Sequence, residues 1–422
     1  MLQPHSGAVA ASQNGWRRSL AIVWVGEFFS VLTSSILQMG LIWHITLTTN
    51  SASALSLASL AGFLPMALLG AFAGTIVDRT SIKRLMIGAD LFIAAVSLTL
   101  AFGSLAGDLP FAAVIAVLFV RALGTVLHQP AFNALTPLIA PPEALGKLAG
   151  VLQFMQSGSY IIGNAIAAVI YPAFGLTAMI ALDVAGAVLA SIAVAASGIK
   201  TPKPERRSGE EAADEATHAL KAFFSDTADG YRELKRHTGL FAMLWIGFAF
   251  TVLFSPISAL FPLMTFDHFG GTTLHSALAE IVFSVGMIAA SAWIGATGGL
   301  KNRGFSCAFA TGLFGVATLA SGLLPASALP LFFAFTFVMG ISSPLYSAPQ
   351  MALMQERIDP ARMGRVFGLY GAICSWAMPV GLVLSTMFAD AIGVTMCFVL
   401  AGAGMLALGF ITWAIPSIRH IG

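Results

Sequence analysis

Charged side chains are scarce in this sequence. Asp, Glu, Lys and Arg make up 9% of its 422 residues, whereas soluble domains carry roughly 25%. Hydrophobic residues make up 57%, and the mean hydropathy is +0.86. So little polar surface does not cover so many apolar side chains in water. The composition therefore excludes an ordinary soluble domain and predicts a protein embedded in lipid.

Cysteine is also rare, and several chemical signatures are missing. The three cysteines, Cys307, Cys374 and Cys397, each lie in an apolar run, without the CxxC spacing of a metal site or an even number for a disulfide framework. The sequence has no GxxxxGK[ST] nucleotide-binding loop, catalytic triad, metal cluster or nucleic-acid module. We expect neither an enzyme nor a cofactor, and no nucleic-acid partner. The apolar stretch at 20–47 is too long for a signal peptide, which predicts a retained first span.

Long apolar runs fill most of the chain. A membrane-spanning helix needs about 20 mostly apolar residues, and the runs do not alternate as barrel strands do. The sequence predicts an all-α membrane protein with twelve transmembrane helices. The predicted spans are 19–46, 54–77, 84–106, 111–133, 147–171, 175–198, 240–265, 275–298, 304–324, 328–352, 364–388 and 393–415.

The basic residues fix an orientation. Of the 21 lysines and arginines, all but Arg121 fall on one side of the predicted spans. The opposite loops carry Asp108, Asp267 and Asp390. Because basic loops stay in the cytoplasm, this pattern predicts a multi-pass protein of the bacterial cytoplasmic (inner) membrane with both termini in the cytoplasm. It also supports an even number of spans.

One long polar stretch divides the spans into two sets of six. The predicted organisation is a six-helix half at 1–198, a cytoplasmic linker at 199–238 and a second six-helix half at 239–422. The end of the linker has the pattern of an amphipathic helix, which Lys221, Arg232, Lys235 and Arg236 are expected to hold at the anionic inner leaflet. Its apolar face comprises Leu220, Phe223, Phe224, Thr227, Tyr231 and Leu234.

The two halves form a weak internal repeat. At an offset of 218 residues, Pro142, Gly146, Lys147 and Gly150 recur as Pro360, Gly364, Arg365 and Gly368. Internal repeats of six spans are typical of secondary transporters. The repeat therefore indicates transport, with a central site near mid-membrane and rocking alternating access.

The loop between spans 2 and 3 carries a motif. Gly74, Asp78, Arg79, Lys83 and Arg84 form G-x-x-x-D-R-x-x-x-K-R. This motif resembles the signature loop of the major facilitator superfamily, and the resemblance implies a charge network that gates access from the cytoplasm. A carboxylate near the N-terminus of a neighbouring helix is favoured by the helix dipole. The alternative is that these charges only set the topology.

Further blocks extend the resemblance over nearly the whole chain. They include SSILQMG (34–40), GFLP (62–65), HQPAFNALTPLI (128–139), GRVFGLYG (364–371) and AMPVGLVLS (377–385). The sequence resembles the macrolide-efflux branch of the drug:proton antiporters. This resemblance implies the major facilitator fold and efflux of bulky, often cationic drugs in exchange for protons. Two motifs depart from the family: Gly163-Asn164 stands where Gly-Pro is usual, and Arg121 to Gly124 lacks one residue of the span-4 motif.

Ionisable residues lie within five spans. They are Glu27, Asp90, Arg121, Asp183 and Glu280, and a charge at mid-bilayer costs roughly 2.5–3.5 kcal/mol or more. We predict proton coupling through Glu27, Arg121 and Glu280, and structural roles for Asp90 and Asp183. The expected partner of Arg121 is Glu27 or Asp90, and the sequence does not choose between them.

Glu27 is the strongest proton-coupling candidate. Glu27, Ser30, Ser34 and Gln38 follow one another at helical spacing and share a face of span 1. A carboxylate in an apolar environment takes up a proton more readily than one in water. A bound cation would favour its ionised form, so one site would exchange a proton for a drug. The alternative is a structural hydrogen bond between helices.

The predicted substrate surface is apolar and adaptable, because methionine and aromatic side chains repack around different ligands. The candidates are Phe28, Ser34, Gln38, His128, Tyr160, Phe254, Phe283, Met287, Tyr346 and Trp376.

The function that this evidence favours is proton-coupled secondary active efflux of hydrophobic drugs, macrolides first, which would confer antibiotic resistance. The expected partners are the drug, protons and membrane lipids, and the protein is expected to be a monomer. Two alternatives remain. One is export of an endogenous lipid or siderophore, and the other is a membrane sensor or scaffold that transports nothing.

Overall fold

The structure is a computed structural model that describes residues 15–107, 109–199, 225 and 227–419. These residues form helices and short connections, and none of them lies in a strand. Helices are expected in lipid because they satisfy every backbone hydrogen bond internally. The helices are α1 (Gly15–Thr49), α2 (Ala52–Arg79), α3 (Ile82–Ala106), α4 (Phe111–Ile139), α5 (Leu145–Ala196), α6 (227–236), α7 (Thr238–Leu263), α8 (Thr273–Thr297), α9 (Arg303–Leu323), α10 (Leu329–Arg357), α11 (Pro360–Ile392), α12 (Val394–Ala414) and α13 (Pro416–Arg419).

In the described residues, eleven helices are long and apolar enough to cross a membrane. One of them, α5, has 52 residues and would be about 78 Å long if straight, against a hydrocarbon core of about 30 Å. It is broken at Gly175, whose backbone has φ 71° and ψ −175°, a conformation that essentially only glycine adopts. The parts of α5 on either side of Gly175 correspond to the predicted spans 5 and 6, so the twelve predicted crossings are confirmed.

The first helix shows which way each part of α5 runs. Gly26 lies against Ala190, and Gly40 lies against Met179. As the residue number increases along α1, the number of the residue that it contacts in α5 decreases. The part of α5 that follows Gly175 is therefore antiparallel to α1.

The earlier part of α5 has the opposite direction. Ser159 donates a hydrogen bond to the carbonyl of Phe28 (3.4 Å), and Gly163 lies against Ser35. This part is parallel to α1, so the chain reverses at Gly175 without an intervening loop.

The helices pack mainly within each half of the chain. In the first half, α1 and α3 both contact α5, and α4 contacts α2 and α3. In the second half, α9 contacts α10 and α12, α8 contacts α10, and α7 contacts α11 and α12. The main contacts between the halves are α2 with α11 and α5 with α8. The division into domains at 199–238 stays a prediction.

The end of the predicted linker helix, α6, packs on the start of α11. Glu233 forms an ion pair with Arg362, and Asp229 lies 3.5 Å from Arg365. Leu234 is 1% exposed. The predicted apolar residues Leu220, Phe223 and Phe224, and Lys221, lie outside the described residues. Of the described residues of the predicted apolar face, Leu234 belongs to a buried cluster with residues of α7 and α11, whereas Tyr231 is 38% exposed.

Candidate functional site

Arg121 of α4 lies in a buried network. It forms an ion pair with Asp183 of α5, and the two side chains are 10% and 1% exposed. Arg121 also donates to the hydroxyl of Ser97. Asp183 accepts hydrogen bonds from Ser97 (2.9 Å) and from Ser34 of α1 (2.8 Å). We call these four residues the Arg121 cluster, and it joins α1, α3, α4 and α5.

The sequence-based choice of partner for Arg121 was wrong. Neither Glu27 nor Asp90 pairs with Arg121 in the described structure; Asp183 does. The error arose because the pattern of one helix does not give its register against another. Ser34, predicted to bind substrate, is here a hydrogen-bond donor to Asp183.

A second buried group surrounds His128 of α4. Its Nε2 atom lies 3.2 Å from Asp90 Oδ1 of α3 and 3.6 Å from Glu27 Oε2 of α1. The three residues are 7%, 3% and 3% exposed, respectively. We call them the His128 cluster. Two carboxylates therefore flank one imidazole in an apolar environment, so a proton gained or lost by Glu27 changes the charge beside His128.

The His128 cluster also has unused hydrogen-bonding capacity. Glu27 Oε2 and Asp90 Oδ2 are buried and have no hydrogen-bond partner among the described residues. Because an unpaired buried oxygen is costly, a proton on the Glu27 carboxyl would relieve part of that cost. Three helices, α1, α3 and α4, therefore meet at a site suited to protonation.

Glu280 lies apart from both clusters, on α8. Its side chain is partly buried, and no ion-pair partner is found for it in the described part of the chain. It lies on the helix of the second half that contacts α5. Of the three predicted proton-coupling residues, Glu27, Arg121 and Glu280, the structure therefore brings no two into contact.

Hydrogen bonds between the halves connect them at one end of the bundle. This end carries the α1–α2 connection and the start of α8. Ser51, whose hydroxyl caps the N-terminus of α2, donates to Asp390 at the end of α11. We call the following pairs the end-cap contacts: Trp43 with Ser276 (3.1 Å), Asn50 with Asp267 (3.3 Å), Ser51 with Asp390 (2.9 Å), the Ser53 amide with Asp390 (3.1 Å), Ser56 with Ser385 (2.6 Å) and Thr273 with the Ala168 carbonyl (3.3 Å).

Comparison with known proteins agrees with this architecture. The sequence profile of the Major Facilitator Superfamily matches residues 23–372. The chain belongs to the major facilitator superfamily. It is therefore a membrane transporter, as the internal repeat of six spans predicted.

Curated relatives place this transporter within the superfamily. It is 41% identical to macrolide efflux protein A of Streptococcus pyogenes over 97% of this chain and 98% of the relative. It is 42% identical to macrolide efflux protein A of Enterococcus faecalis over 79% of this chain and the whole of that relative. The multidrug efflux pump Tap of Mycolicibacterium fortuitum is 26% identical over 90% of this chain and 91% of the relative. The predicted resemblance to the macrolide-efflux branch is confirmed.

Solved structures share the transporter's fold. A POT family transporter in complex with 5-aminolevulinic acid superposes with a TM-score of 0.72 over 95% of this chain and 96% of that chain. The two sequences are 14% identical. This likeness supports the major facilitator fold alone.

The signature loop of the transporter is only partly described. A methyl group added at Gly74 would have no atom within 4 Å. The side chains of Asp78 and Arg79 lie outside the described part of the structure. Lys83 donates a hydrogen bond to the carbonyl of Ala195 near the end of α5 (2.8 Å), and Arg84 is exposed. The gating role of this loop stays a prediction.

Two aromatic substrate candidates belong to a packed group in the second half. Phe250 stacks on Phe254 (6.1 Å between ring centroids) and on Tyr346 (6.0 Å). Phe314 meets Phe250 and Phe254 edge-on. Phe254 and Tyr346 therefore support each other through α7, α9 and α10, and their role in binding stays a prediction.

The other substrate candidates are dispersed. Gln38, Tyr160, Met287 and Trp376 present exposed side chains. Phe28 is partly buried and meets Phe29 edge-on (5.7 Å), and Phe283 is partly buried at the contact of α8 with α10.

Sequence reasoning missed the partners in both clusters. Asp90 and Asp183 received only structural roles, and Ser97 was not considered. Charge balance was the available signal for Asp183, because one arginine in mid-membrane requires a carboxylate and Asp183 lies near the middle of span 6.

Proposed function

We propose that this transporter exports macrolide-like drugs from the cell in exchange for protons. The observation that carries the proposal is the 41% identity to macrolide efflux protein A over nearly the full length of both chains. At that similarity and coverage, a shared substrate class is the expectation. Alternating access by rocking of the two six-helix halves about the central cavity supplies the route.

The His128 cluster is the proposed proton site. Glu27, Asp90 and His128 are buried on three helices, so a proton taken up by Glu27 changes the charge at the point where α1, α3 and α4 meet. Transport couples to protons when protonation favours one arrangement of helices and drug binding favours the other. The Arg121 cluster lies two turns away on α4 and joins α1, α3 and α4 to Asp183 of α5. In this proposal it carries a movement of those three helices to α5.

Efflux and its proton dependence are tested by accumulation of labelled erythromycin in pump-deficient bacteria. Cells with the transporter are expected to accumulate less drug, and a protonophore is expected to restore accumulation. The Glu27→Gln substitution keeps the shape of the side chain but cannot exchange a proton, so accumulation should return to that of cells without the transporter. The control is Glu143→Gln, at an exposed residue outside both clusters, which should leave efflux intact.

Two outcomes would contradict parts of the proposal. Unchanged erythromycin accumulation with well-inserted protein would reject macrolides and favour a lipid or siderophore substrate. Normal efflux by Glu27→Gln at equal expression would remove that carboxylate from the coupling step and leave export itself standing.

We also propose that the transporter is a monomer in the bacterial cytoplasmic membrane with both termini in the cytoplasm. The distribution of basic residues supports the cytoplasmic position of the two termini. The full chain fused at its C-terminus to green fluorescent protein should fluoresce, because that reporter folds in the cytoplasm. A fusion to alkaline phosphatase, which is active outside the cytoplasm, should be inactive. The reverse result would invert the topology.

A further inference from the structure

A groove of about 280 Å³ lies between α8 and α9 on the surface of the second half. Trp293 of α8 and Phe309 of α9 form its rims and are 44% and 45% exposed, whereas Leu345 of α10 forms its floor and is 7% exposed. All the side chains that line the groove are apolar. Apolar surface is expected wherever a helix faces lipid, but a concave apolar surface can hold a ligand from several sides at once.

Contacts with α10 keep the groove open. In the described structure, α8 and α9 both pack against α10 but hardly touch each other. On one side, Gly286 of α8 and Gly340 of α10 let the two backbones approach closely, since a methyl group at Gly286 would lie 3.2 Å from the Cα of Gly340. On the other side, Ser306 of α9 donates a hydrogen bond to the Leu345 carbonyl (2.8 Å). That carbonyl lacks its helical donor because Pro349 has no N–H. These two anchors fix the separation of α8 and α9.

The groove extends over the depth of one leaflet. Trp293 lies one turn before the end of α8, and Ile341 lies near the middle of α10. Leu300, in the α8–α9 connection, lines the groove at the membrane surface, at the end of the bundle opposite the end-cap contacts. An acyl chain also spans one leaflet, which is half of a hydrocarbon core of about 30 Å. The groove therefore matches an acyl chain in length.

A cation lies at the surface end of the groove. Lys301 directly follows Leu300 and is exposed, and no ion-pair partner is found for it among the described residues. Its neighbour Arg303, by contrast, pairs with Glu356 of α10. The connection at 298–302 contains no acidic residue. The apolar groove therefore ends at a positive charge, which is complementary to a lipid phosphate.

The same features disfavour a bulky drug as the ligand of this groove. Its volume lies just below the roughly 300–1,000 Å³ of sites for drug-sized molecules, and such sites contain polar groups that orient the ligand. The lining of the groove supplies none. A slender hydrocarbon chain needs neither a larger volume nor polar groups.

We propose that the groove between α8 and α9 is a binding site for an anionic phospholipid. One acyl chain lies between Trp293 and Phe309 over Leu345, and the phosphate lies at Lys301. Trp293 is then near the headgroups, the depth at which tryptophan is enriched in membrane proteins. The proposed topology assigns this lipid to the inner leaflet. The binding itself does not depend on the proposed drug export.

The headgroup preference is tested by native mass spectrometry of the purified full-length transporter with added lipid. Palmitoyl-oleoyl phosphatidylglycerol and palmitoyl-oleoyl phosphatidylcholine have the same chains, so they differ only in the headgroup and its charge. One phosphatidylglycerol should bind more tightly than phosphatidylcholine. Lys301→Gln should weaken phosphatidylglycerol binding about fivefold, as for loss of one lysine at an anionic surface, and leave phosphatidylcholine binding unchanged. The control is Lys147→Gln, at an exposed lysine of the first half.

The groove itself is tested by Ala289→Trp. Ala289 lines the groove and is exposed, so a larger side chain there fills the groove without entering the core. This variant should lose the tightly bound lipid with either headgroup. Ala403→Trp, at an exposed alanine of α12, should retain it. Brominated phosphatidylglycerol quenches nearby tryptophan fluorescence, and the quenching should decrease in Trp293→Phe, which keeps an aromatic rim.

Several outcomes would overturn the lipid site. Equal phosphatidylglycerol binding by Lys301→Gln and the unsubstituted transporter would remove the headgroup contact, and retention of the lipid by Ala289→Trp would remove the groove. Loss of erythromycin binding in Ala289→Trp, with displacement of the lipid by the drug, would assign the groove to the drug instead. A dimer that dissociates in Ala289→Trp and binds no lipid would assign it to a second copy of the chain. Failure of drug export in the accumulation assay would leave these binding measurements unaffected.

Discussion

The Arg121→Leu substitution is expected to remove most of the folded transporter. It would leave Asp183, whose side chain is 1% exposed, as an uncompensated charge in the bundle. Breaking a buried ion pair in this way costs about 3–5 kcal/mol, a large part of the 5–15 kcal/mol that typically separates folded from unfolded proteins. Hydrogen bonds from Ser34 and Ser97 do not neutralise the carboxylate.

The measurement is the thermal unfolding of the detergent-solubilised transporter. A fluorescent fusion is heated, and size-exclusion chromatography then measures how much folded protein remains. The double variant Arg121→Leu/Asp183→Leu should recover much of the lost stability because it removes both charges. Arg303→Leu is the matched control, since Arg303 pairs with Glu356 where the side chains are 34% and 56% exposed. Exposed pairs contribute about 0–1 kcal/mol. Equal effects of Arg121→Leu and Arg303→Leu would contradict the importance of the buried pair.

Gly340→Ala is expected to destabilise the contact of α8 with α10. A methyl group at Gly340 would overlap the backbone carbonyl of Phe283 and lie 3.2 Å from the Cα of Gly286. These neighbours are backbone atoms, which cannot turn aside as a flexible side chain does. Overpacking of this kind typically costs about 1–3 kcal/mol.

The matched control for this glycine is Gly368→Ala on α11, where no atom lies within 4 Å of the added methyl group. The same thermal assay should show a lower unfolding temperature for Gly340→Ala. Gly368→Ala should be neutral or slightly stabilising, because alanine favours helix more than glycine does. A stable Gly340→Ala protein would show that α8 and α10 can separate without cost.

The sequence was sufficient to predict the fold because the composition and length of the spans are set by the lipid bilayer rather than by details of helix packing. Twenty or so apolar residues per run, and basic residues in every second loop, predict the number of crossings whatever the neighbours are. The chain reversal at Gly175 also agrees with the predicted boundary between spans 5 and 6. It uses no separate loop, and the backbone conformation of one glycine was not predictable from hydropathy.

The site was predicted less well because it depends on register between helices. Glu27 and Arg121 were recognised as ionisable residues inside spans, but their partners come from other helices. Glu27 lies beside His128, which also contacts Asp90, and Arg121 pairs with Asp183. A helical face gives the direction of a side chain, not the depth at which a neighbouring helix meets it. Asn164 illustrates the same limit, since only the packed structure shows that its side chain is buried, at 1% exposure.

The end-cap contacts set the free energy that the proposed proton coupling would have to supply to separate the two halves at this end. They join the halves through hydroxyl, amide, indole and carboxylate groups, without a lysine or arginine. At about 0.6 kcal/mol for each hydrogen bond in a membrane protein, the six together contribute about 4 kcal/mol. One proton entering down about 100 mV and one pH unit releases about the same free energy. Under the proposed exchange, the entry of one proton would therefore release enough free energy to break a closure built from these contacts.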